Sequence, residues 1–292
     1  MQTDVLFPRL ALLGVGYIGG SAAFAARRAG VVGEVVGYDP SSAAGQTAIR
    51  MGIIDAVCAS PQEAVAGASL VLLAAPVRSM ETLLRALAPV LAADATIIDV
   101  GSVKAGIVAA AEAALPPGCF VGCHPMAGAE FSGVEAADAK IFAGRVCFIC
   151  PSRGARESAL AAAHAFWRSV GCQTATIEPD IHDKLMAAQS HLPHVAAFAL
   201  AGALDRAMPF LESTTTAASP TTSLRDTTRI AASGPAVWRD ILLANAPHVL
   251  PLIQELESRV AEIRSAVATG DGEALERILA AAQSCRKRLV EE

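Results

Sequence analysis

Three groups of residues in this sequence carry side chains and spacings suited to chemistry. The first is His124, in the run Phe120-Val121-Gly122-Cys123-His124-Pro125-Met126-Ala127-Gly128. A short apolar stretch delivers the imidazole into a loop between Gly and Pro, where a ring titrating near neutral pH can take a proton from a hydroxyl group. Alone, the residue fits a catalytic or a structural role equally well. The second group is His182-Asp183 with Gln189, Ser190, His191 and His194. His191 and His194 stand three apart, but no thiol or carboxylate lies at a spacing that would complete a metal site, so they read as neutral rings lining a polar cleft and no metal is expected. The third is Arg225-Asp226-Thr227-Thr228-Arg229, where either guanidinium can grip a carboxylate by two parallel hydrogen bonds or pair with Asp226 at the surface.

A fourth group binds rather than reacts. Gly14-Val15-Gly16-Tyr17-Ile18-Gly19 follows an apolar strand and opens a helix. Gly14 permits the tight turn, Gly16 lets the backbone approach a pyrophosphate, and Gly19 lets helix and strand pack closely, while the amides of Tyr17 and Ile18 sit at the helix start. A second apolar strand ends in Asp39, 20 residues after Gly19, placed for ribose hydroxyls. Its charge repels a 2′-phosphate, and Pro40-Ser41-Ser42 offers no cation to hold one, so NAD is expected over NADP. Ala74-Ala75-Pro76 and Asp99-Val100-Gly101-Ser102 follow further strands, at the end where ligands bind in such folds.

These groups need a scaffold. Strands are expected at Arg9–Gly14, Glu34–Asp39, Leu70–Ala74, Thr96–Val100, Phe120–Gly122, Arg145–Cys150 and Gln173–Ile177. Helices are expected near 17–30, 42–51, 79–92, 102–114 and 155–170. The first strands are continuously apolar, as in a parallel sheet covered on both faces. Alternation of strand and helix predicts an α/β fold, an N-terminal Rossmann domain with a doubly wound parallel sheet over 1–178. From 179 to 292 the pattern predicts an all-α dimerisation domain, with helices at 181–211, 224–233, 236–266 and 271–290 and a Thr/Ser-rich loop at 213–223. Pro193 should kink the first helix or mark its early turns. The helix 236–266 carries an apolar stripe (Ile241, Leu242, Val249, Leu250, Ile253, Leu256, Val260, Ile263) fit for core or for a dimer face.

Composition narrows the classes. With 53% hydrophobic and 17% charged residues among 292, a large core is available and disorder is not expected. A net charge of -5 argues against nucleic acid as partner. Seven cysteines scattered from Cys58 to Cys285 read as reduced, buried thiols of a cytoplasmic protein. The uncharged stretch Leu10 to Ala26 resembles an export signal, yet its glycines and the following Arg27-Arg28 place it in the nucleotide loop and helix. No membrane span is expected.

Together the segments GVGYIGGS (14–21), DVGSVK (99–104), HPMAGAEFSGVEAA (124–137), HDKLMAAQSHLPH (182–194) and RDTTRIA (225–231) resemble the prephenate/arogenate dehydrogenase family of tyrosine biosynthesis, in order and spacing along most of the chain. The resemblance implies that His124 is the catalytic histidine at the substrate's ring hydroxyl, that Ser102 assists there, that His191 binds substrate, and that Arg229 holds a substrate carboxylate. It implies NAD-dependent oxidative decarboxylation by a homodimer. Gln189 departs from the residue usual at that place and is assigned to the substrate's side-chain end, which leaves prephenate and arogenate both open. No chorismate mutase segment or C-terminal regulatory extension is expected. Two rivals remain: a β-hydroxyacid-type dehydrogenase, which would want a catalytic lysine where only Lys184 is available between 141 and 286, and an NAD-sensing protein without turnover.

Overall fold

The computed structural model describes residues 5–128, 131–206 and 221–290. By compactness the chain divides into two units, 1–245 and 246–292.

The apolar strands of the first unit are read out on two faces. In β1 (Phe7–Leu13), Leu10 and Leu12 enter one core while Ala11 and Leu13 enter another. The same alternation divides Leu70 and Leu72 from Val71 and Leu73 in β4 (Leu70–Leu73), and Ile98 from Ile97 in β5 (Thr96–Asp99). One core receives Ala22, Ala23, Ala25 and Ala26 of α1 (Tyr17–Arg28), with Phe166 and Trp167 of the helix Glu157–Ser169. The other receives Met80, Leu84 and Leu87 of the helix Val77–Leu87, with Ile107 and Val108 of α5 (Ala105–Ala114). A sheet buried on both sides cannot alternate polar with apolar, which explains the unbroken apolar runs.

Eight strands form one sheet in the order β3-β2-β1-β4-β5-β6-β7-β8, with β2 at Val32–Tyr38, β3 at Ala56–Val57, β6 at Phe120–Pro125, β7 at Val146–Pro151 and β8 at Gln173–Thr176. The chain order reverses between β1 and β4, so the crevice at their carboxyl ends is the place for a ligand. Two features of the sheet and its connections depart from the sequence reading. A two-residue strand, β3 (Ala56–Val57), and a short helix, Pro61–Val65, fill the stretch after residue 51. And β7 runs antiparallel to β6, so the sheet is mostly rather than wholly parallel.

Past β8 all described elements are helical. Within the described residues the expected helix 181–211 is Pro179–Met186, one wide π turn at Ala187–His191, and Leu192–Asp205, and its end at 207–211 lies outside them. Pro193 sits in the first turn after the π segment, the place where its missing N–H costs least. The Thr/Ser-rich connection lies outside the described residues except for 221–223. Thr222–Thr228 and Arg229–Ala232 follow, then Pro235–Ala244.

The single helix expected over 236–266 is two: Pro235–Ala244 ends at Asn245, and Ala246–Thr269 begins a new one. Pro247 fits the break, because it has no N–H to continue the ladder of the first helix and is tolerated in the opening turn of the next. The second unit is this helix and Gly272–Val290. Gly270, at φ 69, ends the first while Asp271 donates its amide to Ala266 O at 3.0 Å. The Asp271 carboxylate then caps the second helix through the Ala274 amide at 2.9 Å. Val260, Ile263, Val267 and Leu279 leave an apolar surface exposed on this pair.

Candidate active site

The glycine loop leaves β1 at its carboxyl end, and each glycine answers a different constraint. Gly14 has φ +99, and a Cβ there would lie 2.5 Å from the carbonyl oxygen of Ala74. At Gly19 a Cβ would meet the Ala74 side chain at 2.5 Å and Gly14 O at 2.6 Å, so α1 could not approach the strands. Gly16 differs, since a Cβ there would meet nothing within 4 Å and would project into open space. Gly16 also starts α1 without any side-chain cap, leaving the helix's first amides, those of Tyr17 and Ile18 among them, to a ligand.

Asp39 follows β2 and is tied to this loop. Its Oδ2 accepts from the Val15 amide at 2.8 Å and its Oδ1 from the Ser41 amide at 2.8 Å. The remaining lone pairs of a carboxylate so held are available to hydroxyl groups. Ala75 and Pro76 follow β4, half-buried and exposed, beside the carbonyl that Gly14 accommodates. Since β1, β4, β5 and β6 are mutually parallel, Gly14, Ala75, Ser102 and His124 all fall at one end of the sheet.

At that end lies a cleft of about 210 Å³, lined by Ser102, His124, Pro125, Met126, Ala127, Gly128, Ser190, His191, Trp238 and Ile241. His124 is the penultimate residue of β6 and is buried. Its Nδ1 lies 2.8 Å from His182 Nε2. His182 Nδ1 lies 2.8 Å from Asp183 Oδ1, and the rings of His124 and His182 meet edge to face at 5.0 Å. Asp183 in turn accepts the amides of Lys104 at 2.7 Å and Ala105 at 2.8 Å, at the start of α5. The carboxylate thus caps a helix whose positive end favours its charge.

Beneath the histidines lies a fully buried ion pair. Lys104 Nζ contacts Asp99 Oδ2 and donates to Cys123 O at 2.9 Å. Asp99 also accepts the amides of Cys123 at 2.7 Å and Gly101 at 2.8 Å. These bonds fix the ends of β5 and β6, and with them the loops bearing Ser102 and His124. Burial holds the His124 ring well below the ordinary histidine pKa, because a protonated ring would be desolvated there and would face His182, the Lys104 ammonium and His191. The ring is therefore neutral at pH 7 and ready to accept.

His191 is held from behind. The Asn245 amide nitrogen donates to Asp183 O at 2.8 Å and to His191 Nδ1 at 3.0 Å. Because Nδ1 accepts, the neutral His191 ring carries its proton on Nε2. Burial pushes its pKa down to about 4, so it remains neutral across the physiological range. His194 Nδ1 donates to Ser190 O at 2.8 Å, and the ring stacks on Trp238 at 3.6 Å.

Of the residues singled out in the sequence, Ser102, His124 and His191 meet in this cleft. Gln189 is exposed and does not line it, although its neighbour Ser190 does. Arg229 is exposed, close enough to His194 to lower that ring's pKa, and is not among the lining residues. Sequence reasoning gave no role to Trp238, Asn245, Lys104 or Asp99, and named His182 and Asp183 without linking them to His124. The signal for Asn245 was its position at the helix break before Pro247. Six cysteines are buried free thiols, as expected, but Cys285 lies exposed on the last helix, whose described residues are almost all exposed. Among the described residues no cluster of three His, Cys, Asp or Glu side chains could hold a metal, and no helix is long and apolar enough to cross a membrane.

Glycine loop, switch-point crevice and histidine cleft together define a Rossmann-fold oxidoreductase with a helical partner region. Two family models match successive parts of the chain. One, described as the nucleotide-binding domain of prephenate dehydrogenase, matches residues 22–176, and the other, described as its dimerization domain, matches 178–281. The chain is 35% identical to the cyclohexadienyl dehydrogenase of Zymomonas mobilis, over 92% of each chain. It is 32% identical to the prephenate dehydrogenase of Bacillus subtilis, over 95% of this chain and 75% of that one. Among solved structures, prephenate dehydrogenase from Aquifex aeolicus, in complex with hydroxyphenyl propionate and NAD+, superposes with a TM-score of 0.85 at 31% identity, covering 98% of this chain and all of the other. The chain belongs to the prephenate dehydrogenase family.

Proposed function

We propose that the protein oxidises and decarboxylates prephenate or arogenate with NAD, giving 4-hydroxyphenylpyruvate or tyrosine. The observation that carries this reading is the cleft itself. It brings a neutral, buried His124 and the Ser102 hydroxyl together at the sheet end that also bears the glycine loop. The relatives' activities and the NAD+ bound to the Aquifex enzyme support it.

The residues present fit the cofactor. Gly16 leaves open space where a side chain would stand, α1 begins uncapped, and the Asp39 carboxylate faces where ribose hydroxyls would lie. Gly14, Gly19, Tyr17, Ile18, Ala75 and Pro76 complete this binding edge. Bound there, NAD supplies the hydride acceptor. His124 accepts the ring hydroxyl's proton, and Ser102 orients that hydroxyl. His191 donates from Nε2 to a substrate oxygen. Arg229, close enough to His194 to act on its charge, attracts a substrate carboxylate, and Gln189 lies toward the side-chain end. Loss of carbon dioxide makes the ring aromatic, which drives the reaction forward.

In this reading residues 1–178 bind cofactor and 179–292 supply the substrate face and the dimer contact. The family's dimerization model and the exposed Val260, Ile263, Val267 and Leu279 support a homodimer; a monomer at micromolar concentration in sedimentation would contradict it. Buried free thiols support a reducing, cytoplasmic setting. The direct test supplies purified protein with prephenate or arogenate, and NAD or NADP. Turnover with NAD on either substrate is expected, and the ratio of the two kcat/KM values names the preferred one. Tight NAD binding with no turnover on both would refute the assignment.

A further inference from the structure

We infer that His182 and Asp183 are positioning residues that fix His124 in the tautomer with its proton on Nδ1, leaving Nε2 as the acceptor that meets the substrate. The inference rests on the function proposed above for its meaning, but its geometry stands apart from it.

Asp183 already accepts two backbone amides at the start of α5, so its carboxylate is held in place and oriented by α5. A carboxylate can only accept, so the 2.8 Å contact at His182 Nδ1 puts the His182 proton on Nδ1. In the neutral ring Nε2 must then accept. The 2.8 Å contact to His124 Nδ1 therefore requires His124 to donate from Nδ1. Among the described residues nothing else binds His124 Nε2, and that nitrogen is left with a free lone pair. Without this chain, a histidine in water prefers the opposite tautomer, with Nε2 protonated and unable to act as a base. The chain has the logic of an acid–histidine pair that holds a catalytic imidazole, here lengthened by one ring.

The groups facing the His124 ring are His182 from the helix Pro179–Met186, Lys104 at the start of α5, and His191 from the π turn. Asp99 and Asp183 lie one contact further out. None of the three nearest groups offers His124 a negative partner, so its orientation depends on the His182 contact.

The test compares His182→Phe, which keeps a ring beside Phe148, with His182→Asn, whose carbonyl oxygen can still accept from Nδ1. Nitrogen-15 NMR of the imidazoles, with His124→Asn used for assignment, reads the tautomer directly in the protein without substrate. The wild type should show His124 protonated at Nδ1. His182→Asn should retain that state, and His182→Phe should shift it toward Nε2. In parallel, kcat should fall about 10²-fold in His182→Phe and much less in His182→Asn, with NAD binding unchanged in both. A wild-type His124 protonated at Nε2, or the same tautomer in His182→Phe as in the wild type, would overturn the inference. So would equal losses of kcat in the two variants with no change of tautomer. If the tautomer shifts as expected but no variant or wild type turns over prephenate or arogenate, the positioning stands and the substrate assignment fails.

Discussion

Replacing Gly14 and Gly16 by alanine separates what the fold needs from what the cofactor needs. Gly16 has φ -101, which alanine adopts freely, and its Cβ would meet nothing within 4 Å. Alanine lowers the entropy of the unfolded chain but is a poorer helix cap, and these effects oppose each other at about 0.5–1 kcal/mol each. Gly16→Ala should thus fold with stability within about 1 kcal/mol of wild type. Its methyl group, however, points into the space assigned to the pyrophosphate, and NAD should bind at least about ten-fold more weakly, or ~1.4 kcal/mol. Gly14→Ala reverses the pattern. Its φ of +99 and the 2.5 Å approach to Ala74 O strain the fold itself, by about 2–4 kcal/mol. Thermal melts with and without NAD read both terms. At NAD one hundred times the wild-type Kd, the wild type gains ~2.7 kcal/mol and Gly16→Ala only ~1.4 or less. Without NAD, Gly16→Ala should melt near the wild type and Gly14→Ala roughly 5–10 °C lower. A Gly16→Ala protein that binds NAD like the wild type would refute the placement of the pyrophosphate.

His124→Asn should keep NAD affinity and lose about 10²–10⁴-fold in kcat with the preferred substrate; an active variant would remove the histidine from the chemistry. Asn245→Ala removes the donor to both Asp183 O and His191 Nδ1, and denaturant unfolding should show a loss of about 1–3 kcal/mol together with a raised KM. Asp99→Asn leaves the Lys104 ammonium buried without its partner, and a loss of about 3–5 kcal/mol is expected in the same assay. His191 has a folded pKa of about 4, below its unfolded value, so the unfolded chain binds the extra proton. Stability from this group is therefore whole above about pH 6.5 and falls as pH drops toward 4, by up to ~3 kcal/mol. His191→Asn should flatten that part of the stability profile. Arg229→Ala should raise KM and leave kcat little changed, as steady-state kinetics will show.

The glycine turn from β1 into α1 was legible in the sequence because its determinants are local. Gly14, Gly16 and Gly19 lie close together between β1 and α1, and Asp39 follows the next strand. The histidine cleft was legible only in part. His124 and His182 are 58 residues apart, and no periodicity announces that one ring will bond the other. Strand direction was equally hidden: Val146–Pro151 is apolar whichever way it runs, and only the sheet shows it antiparallel to β6. Ala56–Val57 is too short to carry a pattern and is a strand only through its pairing with Val36 and Gly37. By contrast, the break at Asn245 was written in Pro247, and the long apolar stripe through 241–263 obscured it.

Oxidation and decarboxylation of one ring in a single turnover require that hydride and carbon dioxide leave the substrate in equal amounts. The most direct measurement follows NADH and carbon dioxide together, with substrate labelled at the ring carboxylate. Equal amounts of both products from prephenate or arogenate, abolished in His124→Asn, are the result expected. NADH without carbon dioxide, or neither product despite bound NAD, would contradict the account.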